Sequence, residues 1–124
     1  MGSLTGWHVK TSSAKAKGRR LQQLVSDRLL ALYPHLSQRD IKPTSMGVSG
    51  VDVQLSEAAV EVFPFSIECK CVEALNIWKA LEQAESNAEG LYPLLVFKRN
   101  RSEVYAALQL ETLLALIKDV HGPT

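Results

Sequence analysis

The 124-residue sequence predicts a single mixed α/β domain in which helices flank a central β-sheet. Two stretches carry apolar residues at helical spacings of three and four, and two others alternate apolar and polar residues as half-buried strands do. A continuous apolar run at residues 94–97 is typical of a central strand covered on both faces. With 46% apolar residues, the chain can bury a core of its own.

The first third of the chain is predicted to be an arm followed by a helix. Residues 1–13 are rich in Gly, Ser and Thr and lack periodicity, so we expect a flexible basic arm ahead of one folded domain, 14–124. From about Ala14 to Tyr33, leucines and a valine recur at helical spacing. Pro34 closes this helix, because proline cannot continue it.

The middle of the chain is predicted to hold the first strands. Residues 34–50 form a connector in which 41–44 could be a short strand. Residues 51–55 alternate apolar and polar side chains, and 63–67 do the same. Between them, Ser56 is a typical helix N-cap for one or two helical turns.

The second half is predicted to be a helix, two strands and a final helix. Residues 76–89 carry a helical apolar stripe that Gly90 ends. The apolar strand 94–97 follows, a basic turn leads to a strand at 104–108, and a helix covers 110–117. This order of elements predicts a mixed central sheet with helices on its faces.

Two carboxylates and a lysine are predicted to meet on these strands. Glu68 comes sixteen positions after Asp52, and Lys70 follows with one residue between. Glu68 and Lys70 share a face because side chains alternate along a strand, and Asp52 lies across from Glu68 if the two strands pair. Two carboxylates repel unless positive charge lies between them, and Mg²⁺ prefers hard oxygen ligands. The alternative is a structural ion-pair cluster.

The pattern Asp-x(n)-Glu-x-Lys resembles the PD-(D/E)XK nuclease superfamily. A longer likeness, to small phage and prophage endonucleases of the Holliday-junction-resolvase type, runs through Leu-Ser-x-Ala-Ala…Phe-Pro-Phe-Ser-Ile-Glu-Cys-Lys. It continues through Gln-Ala-Glu-Ser-Asn-Ala and ends at Pro-Leu-Leu-Val-Phe-Lys-Arg-Asn-Arg, residues 93–101. The resemblance implies a restriction-endonuclease-like core and hydrolysis of DNA phosphodiester bonds.

The same resemblance implies roles for individual residues. Asp52 and Glu68 would bind Mg²⁺, for which Mn²⁺ can substitute, and the carbonyl of Cys69 would be a further ligand. Lys70 would position or activate the attacking water. Gln83, in the helix after the Glu-x-Lys strand, would lie close to the site, although it could equally be a plain surface residue.

The chain departs from the family pattern at two positions. Val51 stands before Asp52, where proline is common among junction-resolving members. Gln22 stands where archaeal Holliday-junction resolvases carry a glutamate aimed at the metal. Gln22 could still hydrogen-bond a water at the site or could be an ordinary helix-surface residue.

Positive charge is clustered, although the formal net charge is only +1. Residues 1–20 hold five lysines and arginines and no acid, and residues 98–101 hold three more. Such clusters contact phosphates, or they are a solvated tail and a charged turn. The predicted DNA contacts are Lys17, Arg19, Arg20, Lys98, Arg99 and Arg101, together with Ser49, or Ser45 in its place, by resemblance.

Other classes of protein are disfavoured. No apolar run reaches membrane-spanning length, and the basic N-terminus lacks the apolar segment of a signal peptide. Cys69 and Cys71 point to opposite faces of a strand, and there is no third cysteine for a zinc site. No nucleotide-binding glycine loop or Ser–His–Asp arrangement is present. We expect a cytoplasmic protein without membrane contact, and the resemblance implies a phage or prophage protein in a bacterial host.

The predicted function is therefore that of a Mg²⁺-dependent DNA endonuclease that resolves Holliday junctions or other branched DNA. Because a fold does not fix a substrate, a nuclease acting on nicks, flaps or duplex DNA is an alternative, and so is a catalytically silent DNA-binding module. Paired nicking of a junction needs two sites, which predicts a homodimer.

Overall fold

The computed structural model describes residues 2–45 and 50–121, in which four helices surround two small β-sheets. The elements in chain order are α1 (Gly2–Leu32), β1 (Ile41–Pro43), β2 (Val53–Leu55), α2 (Glu57–Val62), β3 (Phe65–Cys71), α3 (Ile77–Ser86), β4 (Tyr92–Lys98), β5 (Tyr105–Ala107) and α4 (Leu110–His121). Strands β3, β4 and β5 form one sheet in that order, with β3 parallel to β4 and β5 antiparallel to β4. The predicted class, mixed α/β with helices and a mixed sheet, is confirmed.

Helix α1 is longer than the sequence predicts. It begins at Gly2 rather than at about Ala14, so residues assigned to the N-terminal arm belong to the helix. This segment contains no proline, and each residue added to an existing helix contributes a further backbone hydrogen bond. Weak apolar periodicity therefore does not prevent the helix from extending. Its end at Leu32, just before Pro34, is as predicted.

The core lies between α1 and one face of β3. Leu21 and Leu29 of α1 are buried against Phe65, Ile67 and Cys69, which share that face. Because side chains alternate along a strand, the other face of β3 carries Ser66, Glu68 and Lys70. That face packs beside α3, and the predicted common face of Glu68 and Lys70 is confirmed by the approach of their side chains.

Strand β2 pairs with β1 and not with β3, contrary to the pairing on which the facing of Asp52 and Glu68 depended. The two sheets meet instead at Asp52, immediately before β2. Its backbone N–H donates to the carbonyl of Ile67 at 3.0 Å, and its Oδ2 accepts the N–H of Cys69 at 2.7 Å. The Asp52 carboxylate thus accepts the hydrogen bond that the carbonyl of a neighbouring strand would otherwise accept. This contact holds Asp52 at the edge of β3 although β2 and β3 do not pair.

Within residues 2–45 and 50–121, no helix combines the length and the apolar content that crossing a bilayer requires.

Candidate active site

The edge of β3 brings the two predicted carboxylates together. Glu68 is only 3% exposed, and Asp52 is half-buried. The hydrogen bond from the Cys69 N–H is short, as expected when the acceptor is a charged carboxylate, and it fixes the orientation of Asp52. A buried acid and an anchored acid therefore lie side by side at one position on the sheet.

The surroundings of Glu68 oppose its ionisation. Burial raises the pKa of Glu68 above its usual value, and the negative charge of Asp52 raises it further. Two neighbours act in the opposite direction: Asn87 Nδ2 donates to Glu68 Oε2 at 3.4 Å, and Lys70 Nζ lies 3.9 Å from Glu68 Oε1. The pKa of Glu68 still rises on balance, so a second negative charge is held here at a cost to the fold.

Lys70 connects the buried Glu68 to the surface. Its side chain is 31% exposed, whereas that of Glu68 is 4% exposed. The ammonium group can therefore contact the carboxylate on one side and a molecule bound at the surface on the other. Lys70 is also near the end of β3, where the strand leaves the core.

Cys69 takes part through its backbone rather than its thiol. The thiol lies in the core, and burial together with the charges of Asp52 and Glu68 raises its pKa strongly, so it remains protonated. Successive strand residues direct their backbone groups to alternate edges, so the N–H and the carbonyl of Cys69 both point to the Asp52 edge. The carbonyl oxygen of Cys69, and not its sulfur, is thus available as a metal ligand.

The donors at this edge fit a hard divalent cation. Two carboxylates and a strand carbonyl are oxygen donors of the kind that Mg²⁺ prefers, with water completing its octahedron. Across the described residues, no group of three or more His, Cys, Asp and Glu side chains is placed to hold a metal ion. An ion held here would therefore rely on Asp52, Glu68, the Cys69 carbonyl and water.

A basic cleft opens next to the end of β3. It has a volume of about 280 Å³ and lies between α1 and the turn after β4. We call this cavity the basic cleft, because four cations line it: Lys17, Arg20, Lys98 and Arg101. No described Asp or Glu lines it, whereas Cys71, the residue after Lys70, does. Four of the six predicted phosphate-binding cations thus converge from distant parts of the sequence at the end of β3, on the α1 face that Cys71 shares with Cys69.

The turn that carries half of these cations is held rigidly. The Arg99 N–H donates to Ser102 Oγ at 3.0 Å, and the Asn100 N–H donates to Glu73 Oε2 at 2.6 Å. Arg101 has a φ of 63°, in the left-handed region that glycine and asparagine adopt more readily. Few residues other than glycine adopt this conformation, so the turn holds Arg101 in a backbone geometry that the surrounding hydrogen bonds fix.

The other predicted DNA contacts are more scattered. Arg19 is exposed on α1 beside Arg20. Arg99 lines a separate pocket with Phe97. Ser49 lies outside the described residues, and Ser45 is exposed at their boundary.

The helix residue that reaches Glu68 is Asn87, which the sequence analysis did not single out. Gln83 is exposed on α3, one turn earlier, and Asn87 forms the C-cap of that helix. The Asn87 carbonyl also accepts the hydroxyl of Ser66 at 3.2 Å, so the helix end is tied to β3 twice. Asn87 could have been found from its spacing, because it lies four residues after Gln83 and residues four apart share a helix face. Gln22 is half-buried on α1, and its carbonyl accepts the Ser26 hydroxyl.

No family model, curated protein or solved structure matches this chain.

Proposed function

We propose that the protein is a Mg²⁺-dependent DNA endonuclease with a restriction-endonuclease-like core, and that it cuts Holliday junctions or other branched DNA. The observation that carries this proposal is the buried Glu68, which is held beside Asp52 and 3.9 Å from Lys70. Burying an acid next to another acid destabilises a fold, so such a pair is typical of a functional site. The basic cleft at the end of β3 supports a polyanionic substrate.

Each residue of the site has a role in this proposal. Asp52, Glu68 and the Cys69 carbonyl would hold Mg²⁺, with Mn²⁺ as a substitute. When bound, the ion supplies positive charge to the phosphate and makes water more acidic. Lys70 donates hydrogen bonds to the attacking water and to the phosphate oxygens, whose charge grows during the reaction. Asn87 holds Glu68 in orientation, and Asp52 is oriented by the Cys69 N–H.

The basic cleft would position the DNA. Its four cations face no described acid, so they repel one another until an anion enters. A phosphodiester backbone supplies negative charges at regular intervals. Because Cys71 lines the cleft and Lys70 lies on the opposite face of β3, the backbone would reach Lys70 by passing around the end of the strand. Binding neighbouring phosphates would hold the scissile phosphate near the reacting groups, which is a large part of catalysis of this type.

The proposed active form is a homodimer, and helix α4 supports it. The apolar face of α4 is open to solvent, with Leu113, Leu114, Ile117 and Val120 between 41% and 81% exposed. On the same helix, Thr112 is buried and Leu116 packs against the core. A 12-residue helix is marginal in water without packing, and burying this face against a second copy would stabilise it. Two copies would provide one active site for each strand to be cut.

The test is cleavage of a labelled four-way junction and a matched linear duplex in Mg²⁺, by the wild type, Lys70→Ala and Glu68→Gln. Symmetric cuts in the junction that both substitutions abolish are expected. The matched control is Lys79→Ala, an exposed lysine on α3, which should cut like the wild type.

The other outcomes separate the parts of the proposal. Equal cutting of both substrates would retain the nuclease and refute the preference for branched DNA. Binding without cutting in Mg²⁺ or Mn²⁺ would refute the nuclease and identify a DNA-binding module. In that case Gln22→Glu would test whether one missing acidic ligand explains the lack of cleavage.

A further inference from the structure

A second pocket, with an aromatic wall, lies on the other side of Lys98 from the basic cleft. It has a volume of about 260 Å³. Val72, Leu75, Phe97 and Tyr105 form its apolar wall, and we call it the aromatic pocket. The rings of Phe97 and Tyr105 lie 6.1 Å apart, between centroids, with their planes tilted by only 31°. Such a wall suits a flat, apolar ligand.

The aromatic pocket is open to solvent. Tyr105 is 57% exposed and Val72 is 45% exposed, and no described part of the chain covers them. Phe97 and Tyr105 form a cross-strand aromatic pair, which leaves one face of the Tyr105 ring open. Here Phe97 is half-buried and supports the wall, while most of the Tyr105 surface is free to contact a ligand.

The charges of the two cavities differ, so that the basic cleft favours a phosphate and the aromatic pocket favours a neutral base. The basic cleft has four cations and no described acid. The aromatic pocket has Arg99 and Lys98 at its rim but also Glu73, whose Oε2 accepts the Asn100 N–H. With four cations and no described acid, the cleft attracts a phosphate more strongly than the pocket, whose carboxylate offsets one of its two cations. A neutral base is not repelled, and a carboxylate can accept a hydrogen bond from an amino group such as that of cytosine.

The aromatic pocket also lies at the right distance from the catalytic lysine. Lys70 is in register with Phe97, and Phe97 is in register with Tyr105, so the three side chains form a row on one face of the sheet. Neighbouring strands are separated by about 4.8 Å, which puts the Tyr105 strand about 10 Å from that of Lys70. This span is comparable to the distance from a phosphate to the base of the adjoining nucleotide.

We propose that the aromatic pocket binds one unpaired nucleobase of the DNA, next to the phosphate at Lys70, by stacking it on Tyr105. This inference rests on the proposed function, because it assumes that the backbone lies in the basic cleft. In a linear duplex every base is paired and stacked, and extracting one costs free energy. At a branch point, flap or gap an unpaired base enters without that cost. The pocket therefore selects DNA with unpaired bases near the scissile phosphate.

The experiment compares the binding of a short single-stranded oligonucleotide and of a matched duplex by the full chain, in EDTA, using fluorescence anisotropy. Stacking on one aromatic ring strengthens single-strand binding about tenfold or more, so Tyr105→Ala should lose that factor while duplex binding stays unchanged. Tyr105→Phe keeps the ring and should bind like the wild type. Tyr92→Ala, an exposed tyrosine at the far end of β4, is the matched control.

A second measurement needs no variant. Stacking on an aromatic ring quenches the fluorescence of 2-aminopurine, so wild-type protein should quench this base in a single strand and leave it unchanged inside a duplex. An unchanged ratio of single-strand to duplex affinity in Tyr105→Ala, or equal quenching in both DNAs, would overturn the base site. Because these measurements use no metal, they are independent of cleavage. An inactive wild type that still discriminates would refute the nuclease alone, and an active one that does not would refute the base site alone.

Discussion

Removing single cations from the basic cleft will flatten the dependence of DNA affinity on salt. Each phosphate of duplex DNA that a cation neutralises contributes about −0.9 to the slope of log affinity against log salt concentration. Four cations line the cleft. If all four contact phosphates, the slope is about −3.6, and the affinity falls about 150-fold between 50 and 200 mM salt.

The assay is fluorescence anisotropy of a labelled duplex over a series of salt concentrations, with EDTA present to prevent hydrolysis. Arg20→Gln and Lys98→Gln should each reduce the slope by about 0.9. Arg101→Asn should do the same, and it should not reduce the thermal stability, because asparagine tolerates the left-handed backbone at this position. Lys42→Gln removes an exposed cation from β1, outside the cleft, and is the matched control.

Two results would refute this reasoning. If Arg20→Gln and Lys98→Gln bind more weakly but with the wild-type slope, the side chains do not contact phosphates. If Lys42→Gln flattens the slope as much as they do, the effect reflects net charge and not the cleft.

Four further predictions follow from the site and from α4. Glu68→Gln should raise the melting temperature of the metal-free protein at neutral pH, because the raised pKa of Glu68 means that its charged form opposes folding. This gain in stability should vanish as the pH falls below the usual glutamate pKa. A variant less stable than the wild type at neutral pH would contradict the prediction. Asn87→Ala removes a hydrogen bond that lowers the pKa of Glu68, so the acidic limb of the pH–cleavage profile should move to higher pH, and an unmoved limb would argue against the contact. A thiol reagent should modify Cys71 in the cleft and spare the buried Cys69, and DNA should protect Cys71; mass spectrometry that finds equal labelling with and without DNA would count against binding there. Ile117→Glu, on the exposed face of α4, should convert the dimer to a folded monomer in sedimentation, and a wild-type monomer would exclude this interface.

Several parts of the fold could be predicted because they depend on local patterns. The alternation of side chains along β3 is a property of any strand, so it was enough to assign Glu68 and Lys70 to one face. The apolar run Leu94–Phe97 similarly identified a strand paired on both sides. The start of α1 could not be predicted, because residues 2–13 carry no apolar periodicity in the sequence from which a helix could be recognised.

The parts of the site that escaped prediction depend on tertiary contacts. Asp52 reaches β3 through its own carboxylate, and no periodicity reveals a side chain that takes the place of a backbone carbonyl. The choice of Asn87 over Gln83 depends on where α3 ends against β3. The two basic clusters could be recognised separately, but their meeting in one cleft requires α1 to cross the end of β4.

Because of the hydrogen bond between Asp52 and Cys69, Asp52 and Glu68 are not equally strong evidence for catalysis. Asp52 joins the two sheets, and its removal would leave the N–H of a core strand unpaired at a cost of about 1–3 kcal/mol. Asp52 therefore benefits the fold whether or not the protein is a nuclease, and Asp52→Asn tests its proposed role in cleavage better than Asp52→Ala. Glu68 accepts a hydrogen bond from Asn87, but burial and the charge of Asp52 still disfavour its ionised form, so it benefits the fold less. Under the proposed function, Glu68 is therefore the more informative of the two acids, because its ionised form is held at a cost that only the proposed chemistry would explain.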